Sequence, residues 1–499
     1  MVSKEASMSN SPIASTTPTI VPTPTKPASP RLGLAVLLLG GFLTVFDLFV
    51  VNVAIPSMQA DLGASFAEIG FVVAGYALAF GMLLIAGGRL GDTYGRRRLF
   101  TFGVLGFAGA SLLCGLAPNT VSLIVARFLQ GAAGAILFPQ IYALLRVMFD
   151  ETGRRKAFGL LGMTLGLAAI AGQVLGGLLV GDNIFGLGWR IAFLINVPIG
   201  LVMVALVRAI PESRVTDAHR VDWLGIALAM AGLLLLLIPL LEGENVGWPA
   251  WTWGCFAASL VVLAVFLGWE RSLARRGGSP AVDPALFANG HFSIGSIVVL
   301  LVYSTSTSLF LCFALLTQSG LGLTPFQAGS LFAPASVGFV AASLVAPKLV
   351  ARWGNGTVAG GALLYAAGIG WLVANVVGLG GAPHVLALVP PLVLFGFGQG
   401  LSMTPLLNLV IGFVEEHHAG MAAGFISTMQ QVGGAFGVAV VGMFFSSLLG
   451  TRASEPVVAA RYADAFAGAM LYNLVAVLLA ALLVAWVVCG WRVSRAKPL

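Results

Sequence analysis

The chain has 499 residues, of which 58% are hydrophobic and 9% charged, and a formal net charge of +7. Soluble domains carry about a quarter charged residues, so this composition excludes a water-soluble fold and leaves a lipid bilayer as the solvent. The positive balance would also suit nucleic acid, and the positions of the basic residues decide between the two.

In chain order, residues 1–31 come first. Seventeen of the first thirty residues are Ser, Thr or Pro, and no apolar core of signal-peptide length is present, so a disordered cytoplasmic tail is expected. Fourteen runs then follow that suit membrane helices of roughly 20 residues. They cover 33–55, 69–88, 99–117, 120–143, 158–181, 190–209, 223–241, 248–268, 291–314, 325–346, 357–378, 383–413, 420–447 and 465–490. The implied fold class is an all-α integral membrane protein with fourteen transmembrane helices and both termini cytoplasmic. Its expected parts are an N-terminal six-helix bundle (32–210), two inserted helices with linkers (211–290), a C-terminal six-helix bundle (291–491) and a cytoplasmic tail (492–499).

With the N-terminus inside, 22 of the 26 Lys and Arg residues fall in cytoplasmic segments. Arg190, Arg452 and Arg461 fall outside, and Arg127 lies within a span. One miscounted span would flip every later loop, so this bias supports the topology. It also accounts for the net charge with the bilayer as partner and no nucleic acid.

Cys114, Cys255, Cys312 and Cys489 sit singly in apolar segments, and a buried reduced thiol is expected for each. His417 and His418 are adjacent in "EEHHAG", which lacks the spacing of a zinc helix, so no metal is expected. No Walker A lysine motif occurs. The glycine string at 396–400 lies inside a span with no strand before it. No cofactor is therefore expected, and an ion gradient is left as the driving force.

The chain also repeats itself. "RLGDTYGRRR" at 89–98 and "KLVARWGNGT" at 348–357 share a basic residue, Leu, an aromatic and Gly at one spacing. Gly134 precedes Pro139 as Gly400 precedes Pro405. Both matches fall in place if spans 1–6 and 9–14 are equivalent halves.

"GRLGDTYGRRR" (88–98) resembles the loop 2–3 signature of the major facilitator superfamily, with Gly88, Leu90, Asp92, Gly95, Arg96 and Arg97 in place. "RFLQGAAGA" (127–135) is similar to the span-four motif of its proton-coupled exporters. "FDLFVVNVAIP" (46–56) and "GWRIAFLINVPIG" (188–200) resemble the fourteen-helix drug:proton antiporter branch. Two positions depart from those motifs: Gln173 stands where the span-five motif usually has Pro, and Phe49 where the span-one motif usually has Thr.

Charges inside spans cost about 2.5–3.5 kcal/mol on insertion scales, so those present are read as functional. Asp47 and Arg127 are the two. Counting about 1.5 Å per residue puts both in the outer third of the bilayer, where an ion pair is geometrically open. A carboxylate beside a guanidinium stays ionised, and one parted from it in an apolar site takes up a proton. The pair is therefore the candidate for proton coupling, with a purely structural buried pair as the alternative.

Gly172, Gly176 and Gly177 allow close helix approach in span five, and Gly433 and Gly437 in span thirteen. In the signature loop, Gly91 and Gly95 are expected to form the turn. Asp92 is expected to face the N-terminal end of span thirteen, and Arg96, Arg97 and Arg98 to anchor the loop at the anionic leaflet. With Gly88, these residues form the candidate conformational switch. Candidate substrate contacts are Gln130 and Phe138 on span four, Tyr303 in the polar stretch 303–308, and Ser427, Gln430 and Gln431 on span thirteen. Helix-to-helix hydrogen bonding is the alternative role for each. The resulting expectation is a monomeric antiporter exchanging protons for lipophilic neutral or monocationic drugs, antibiotics or toxic metabolites. A facilitator or importer of one small solute is the alternative.

Overall fold

The computed structural model describes residues 20–22, 29–215, 221–378, 385–414, 419–451 and 458–495. The pair His417–His418, most of the N-terminal tail and residues 496–499 lie outside these residues. Fourteen helices long and apolar enough to cross a membrane are present. They are Pro30–Leu62, Phe66–Tyr94, Arg96–Gly115, Thr120–Met148, Glu151–Gly181, Gly188–Ala209, Trp223–Glu242, Ala250–Arg275, Gly290–Gly320, Pro325–Trp353, Gly356–Gly378, Val385–Ile411, Met421–Gly450 and Val458–Val487, here spans one to fourteen. The sides are named from the basic-residue pattern, with Pro30 at the inner end of span one.

Most spans run further than their apolar stretches, because the ends are set by caps. Ser65 accepts from the Glu68 amide at 3.2 Å, and the Glu68 carboxylate takes the Ser65 amide at 2.7 Å, fixing the start of span two. Thr324 and Gln327 build the same reciprocal cap on span ten, with Pro325 in the first turn. Span fourteen begins at Val458 rather than near 465, which brings Arg461 and Asp464 into its outer first turns. Ile20–Pro22, part of the expected disordered tail, instead forms an antiparallel strand with Ser213–Val215. The β-branched Ile20 and Val21 suit a strand, and Pro22 ends it.

The internal repeat is visible in the packing. Gly134 of span four lies 3.0 Å from the Phe80 ring of span two at its missing Cβ, and Gly400 of span twelve lies 2.5 Å from the Phe339 carbonyl of span ten. The halves therefore use equivalent glycines to bring equivalent helices together. The inserted span seven packs Leu237 and Leu241 against Ala67, Leu78 and Val432 of spans two and thirteen. Span eight lies outside it, with Trp253 and Leu260 exposed.

The two halves meet along spans two and thirteen, where Thr428 donates to the Gly81 carbonyl at 2.8 Å and Phe66 stacks on Phe445. They also meet at the outer ends of spans one, five, nine and ten. There Gly177 abuts the Pro325 carbonyl, Phe49 meets Phe310 edge-on at 5.2 Å, and Gln318 donates to the Val53 carbonyl at 2.9 Å. Further in, span five still faces span ten at Gly166, where an added Cβ would lie 3.3 Å from Val340. Below that, an added Cβ at Gly162 or Gly159 would meet nothing within 4 Å. The seal between spans five and ten is outer, and the two helices part towards the inner side.

Candidate functional site

Asp47 and Arg127 meet in the N-terminal half. Arg127 Nη1 lies 2.7 Å from Asp47 Oδ2, and the side chains are 1% and 0% exposed. Arg127 Nε donates to the Val72 carbonyl at 3.2 Å, and the guanidinium sits 4.2 Å above the Tyr76 ring. That ring contact offsets part of the cost of burying the cation. The second Asp47 oxygen accepts from Gln130 Nε2 and from Asn196 Nδ2, each at 2.8 Å. Gln130 and Asn196 in turn share Ser111 Oγ, at 2.8 and 3.2 Å. Spans one, three, four and six thus converge on one carboxylate through four polar side chains.

This arrangement relocates one substrate candidate. Gln130 is fully buried and belongs to the Asp47 network, with its Oε1 accepting from Arg127 at 2.6 Å. Spacing along span four fixes which residues share a face but not which neighbouring helix covers it. Phe138 remains half-exposed in an aromatic series of Tyr76, Phe80, Phe138, Tyr142 and Phe158, with successive centroids 5.9, 5.8, 5.5 and 5.9 Å apart. In the C-terminal half, Gln430 donates to the half-buried Tyr303 hydroxyl at 2.9 Å, so these two candidates are brought together. Gln431 instead packs its stem against Gly81, and Ser427 bonds back to the Ala423 carbonyl. Among the neighbours of Tyr303, Ser304, Thr305 and Ser308 are buried in bonds to Tyr472, Tyr365 and Asn473 of other spans. The less buried Ser306 likewise accepts from Gln399 of span twelve at 2.8 Å.

The signature loop also differs from expectation. Gly91 is not in the turn: span two continues helical to Tyr94, and Gly91 makes room for the Gln140 side chain. Gly95 alone turns the chain, at φ +108°, and Gly88 faces Pro139. Asp92 Oδ1 accepts from Arg96 Nε and Nη2 at 2.9 and 2.7 Å, so among the described residues its partner lies one helical turn onward. Arg96 is buried and also reaches Ser213, while the Arg97 amide donates to Glu212 at 3.0 Å. Arg96 and Arg97 are thus tied to the segment after span six, and the Arg98 side chain is 73% exposed. Arg89, not singled out by sequence, grips the carbonyls of Ser279 and Pro280 at 3.0 and 2.8 Å, tying the linker after span eight to span two.

With this geometry in hand, comparison with known proteins is decisive. The Major Facilitator Superfamily model matches residues 37–222 and 206–438. The chain belongs to this superfamily. This major facilitator is 38% identical to a probable actinorhodin transporter of Streptomyces coelicolor, over 85% of its own length and 74% of that protein's. It is 38% identical to the cephamycin export protein CmcT of Amycolatopsis lactamdurans, over 87% and 88% of the two chains. It is 33% identical to the drug efflux pump JefA of Mycobacterium tuberculosis, over 85% and 82%. Its fold superimposes with a TM-score of 0.67 on a bacterial homologue of the human lysosomal transporter Spinster in an inward-facing, unoccupied conformation, at 16% identity and covering 94% and 99% of the two chains. This major facilitator is a multi-pass cell-membrane transporter and not an enzyme.

Proposed function

We propose that the chain is a proton-coupled antiporter, working as a monomer, that exports lipophilic antibiotics or toxic metabolites. The observation that carries the reading is the buried Asp47–Arg127 pair, with Gln130 and Asn196 on the same carboxylate. A buried carboxylate is tolerated beside its guanidinium and takes a proton when parted from it. Spans one and four move together in one half, so rocking acts on the pair by admitting or excluding water around Asp47, and its protonation changes with the side to which the cavity opens. The names of two relatives, a cephamycin export protein and a drug efflux pump, support efflux over uptake. The half-exposed rings of Phe138, Tyr142 and Phe158 suit apolar, ring-bearing cargo. A susceptibility panel in an efflux-deficient host, with and without an uncoupler, tests the reading. Resistance that survives the uncoupler rejects proton coupling.

Cargo charge is open to a sharper test. Asp47 is the carboxylate at the centre of the N-terminal half, and three side chains already hold it. Glu244, at the outer mouth of the inserted helices, is bonded to Ser446, and burial pushes its carboxyl above the ordinary range. A dication therefore meets too little negative charge to offset its lost hydration. Neutral and monocationic compounds should be exported better than rigid dications of equal lipophilicity. A resistance ranking with dications first contradicts this.

Asp92 completes the proposed switch: its carboxylate leaves Arg96 for the N-terminal end of span thirteen when the inner side closes. Asp92 is 39% exposed, so losing the Arg96 pair costs at most about 1 kcal/mol and Asp92→Asn should fold. The variant should populate the inward-open state more, read as faster cysteine labelling of the inner cavity. Equal labelling in both proteins removes Asp92 from the switch.

A further inference from the structure

Gln173 occupies the position at which the related span-five motif carries proline, and its surroundings differ from those of a packing residue. It lies in the outer seal, 2% exposed, between the two halves. Its Oε1 accepts from Ser336 Oγ of span ten at 3.3 Å, and its backbone carbonyl is pressed against Gly329 of the same span, where any Cβ would collide. Among the described residues its Nε2 has no hydrogen-bond partner. Beside it is a cavity of about 20 Å³, lined by Asn52, Gln173, Thr317 and Gln318 together with Phe310 and Phe332. That is room for one water molecule, in a site with enough polar groups to bind it. The Gln318–Val53 hydrogen bond closes the far side of the same seal.

We infer that Gln173 is a positioning residue for alternating access: it holds the outer seal shut through a hydrated polar latch between the halves. Ser336 supplies the direct bond, and a water in the cavity accepts from Nε2 and bridges to the polar groups of spans one and nine. A proline at this position has no side-chain amide and makes neither contact. The latch favours the outside-closed state and must break each time the outer side opens. It deepens the export reading by naming a residue that sets the balance between the two states.

The test reads conformation without substrate or proton gradient, so it stands whether or not the export reading survives. Thr317 is buried in the seal and lines the cavity. In a background without native cysteines, Thr317→Cys is labelled from outside by an impermeant maleimide only when the seal opens. Gln173→Leu keeps the volume and removes the latch, and should raise the labelling rate about five-fold, the equilibrium factor of one net hydrogen bond. Ser336→Ala, on the opposite half, should raise it less, and the double variant should match Gln173→Leu because both act through one latch. Equal labelling of wild type and Gln173→Leu overturns the inference, as does simple multiplication of the two single effects. Should Gln173→Leu fail to insert, Ser336→Ala alone decides: no increase in its labelling rate likewise overturns the inference.

Discussion

Asp47→Asn is expected to insert and fold yet to lose proton-coupled export entirely. The carboxylate accepts from Arg127, Gln130 and Asn196 at 2.7–2.8 Å, and all four side chains are buried. Asparagine retains an acceptor oxygen for Gln130 or Asn196 but cannot bind and release a proton. It also leaves Arg127 buried without its counter-charge, and removing one partner of a buried pair costs about 3–5 kcal/mol. The contact of Arg127 with the Tyr76 ring and the Val72 carbonyl offsets part of that loss. The second variant separates the two effects. Asp47→Asn with Arg127→Gln removes the stranded charge and should recover thermal stability, while transport stays absent. Drug-induced proton movement in proteoliposomes is the direct readout. A normal signal from the single Asn variant rules out Asp47 as the coupling carboxylate, and transport restored in the double variant shows that the pair serves structure alone.

The architecture was legible because a bilayer penalises charge so heavily that each helix is written as an uncharged run and each side as a count of Arg and Lys. Helix ends were less legible. Span two continues through Arg89, Gly91 and Asp92 to Tyr94, where hydropathy has already fallen and only the positive φ of Gly95 stops it. The Asp47–Arg127 pair could be suspected for the same reason as the helices: two charges in apolar surroundings must answer to something. Asn196 and Ser111 could not, since neutral polar residues are common in spans and their meaning lies in which other helix they face. Asn196 does stand inside "FLINVPIG", a stretch noted for its resemblance and not for its chemistry. Asp92 shows a different limit. The sequence does not tell whether a carboxylate faces a helix end of the other half or the cation one turn onward, and in this structure its partner is Arg96, four residues away.

Two glycines of span five, five residues apart, should fail in different ways, and the contrast tests the rocking motion itself. At Gly172 an added Cβ would lie 2.8 Å from the Phe46 carbonyl and 2.7 Å from the Phe49 Cβ, both in span one of the same half. Gly172→Val must push span one away from span five beside Asp47 in every state, because the halves move as units. Overpacking of this kind costs about 1–3 kcal/mol, and here it also disturbs a buried ion pair, so little folded protein should be recovered. At Gly177 the missing Cβ faces the Pro325 carbonyl at 2.5 Å and the Phe326 Cα at 2.8 Å, both in span ten of the other half. That contact belongs to the closed outer seal alone. Gly177→Val should therefore fold normally, since opening the seal relieves the clash, and should remain open to the outside. A cost of about 3 kcal/mol placed on one of two states shifts their ratio more than a hundred-fold. Gly177→Val should yield wild-type amounts of monodisperse protein, rapid outside labelling at Thr317→Cys and almost no export. Equal loss of folded protein in both variants would mean that the contact between spans five and ten is permanent, and that the halves do not part at this seal.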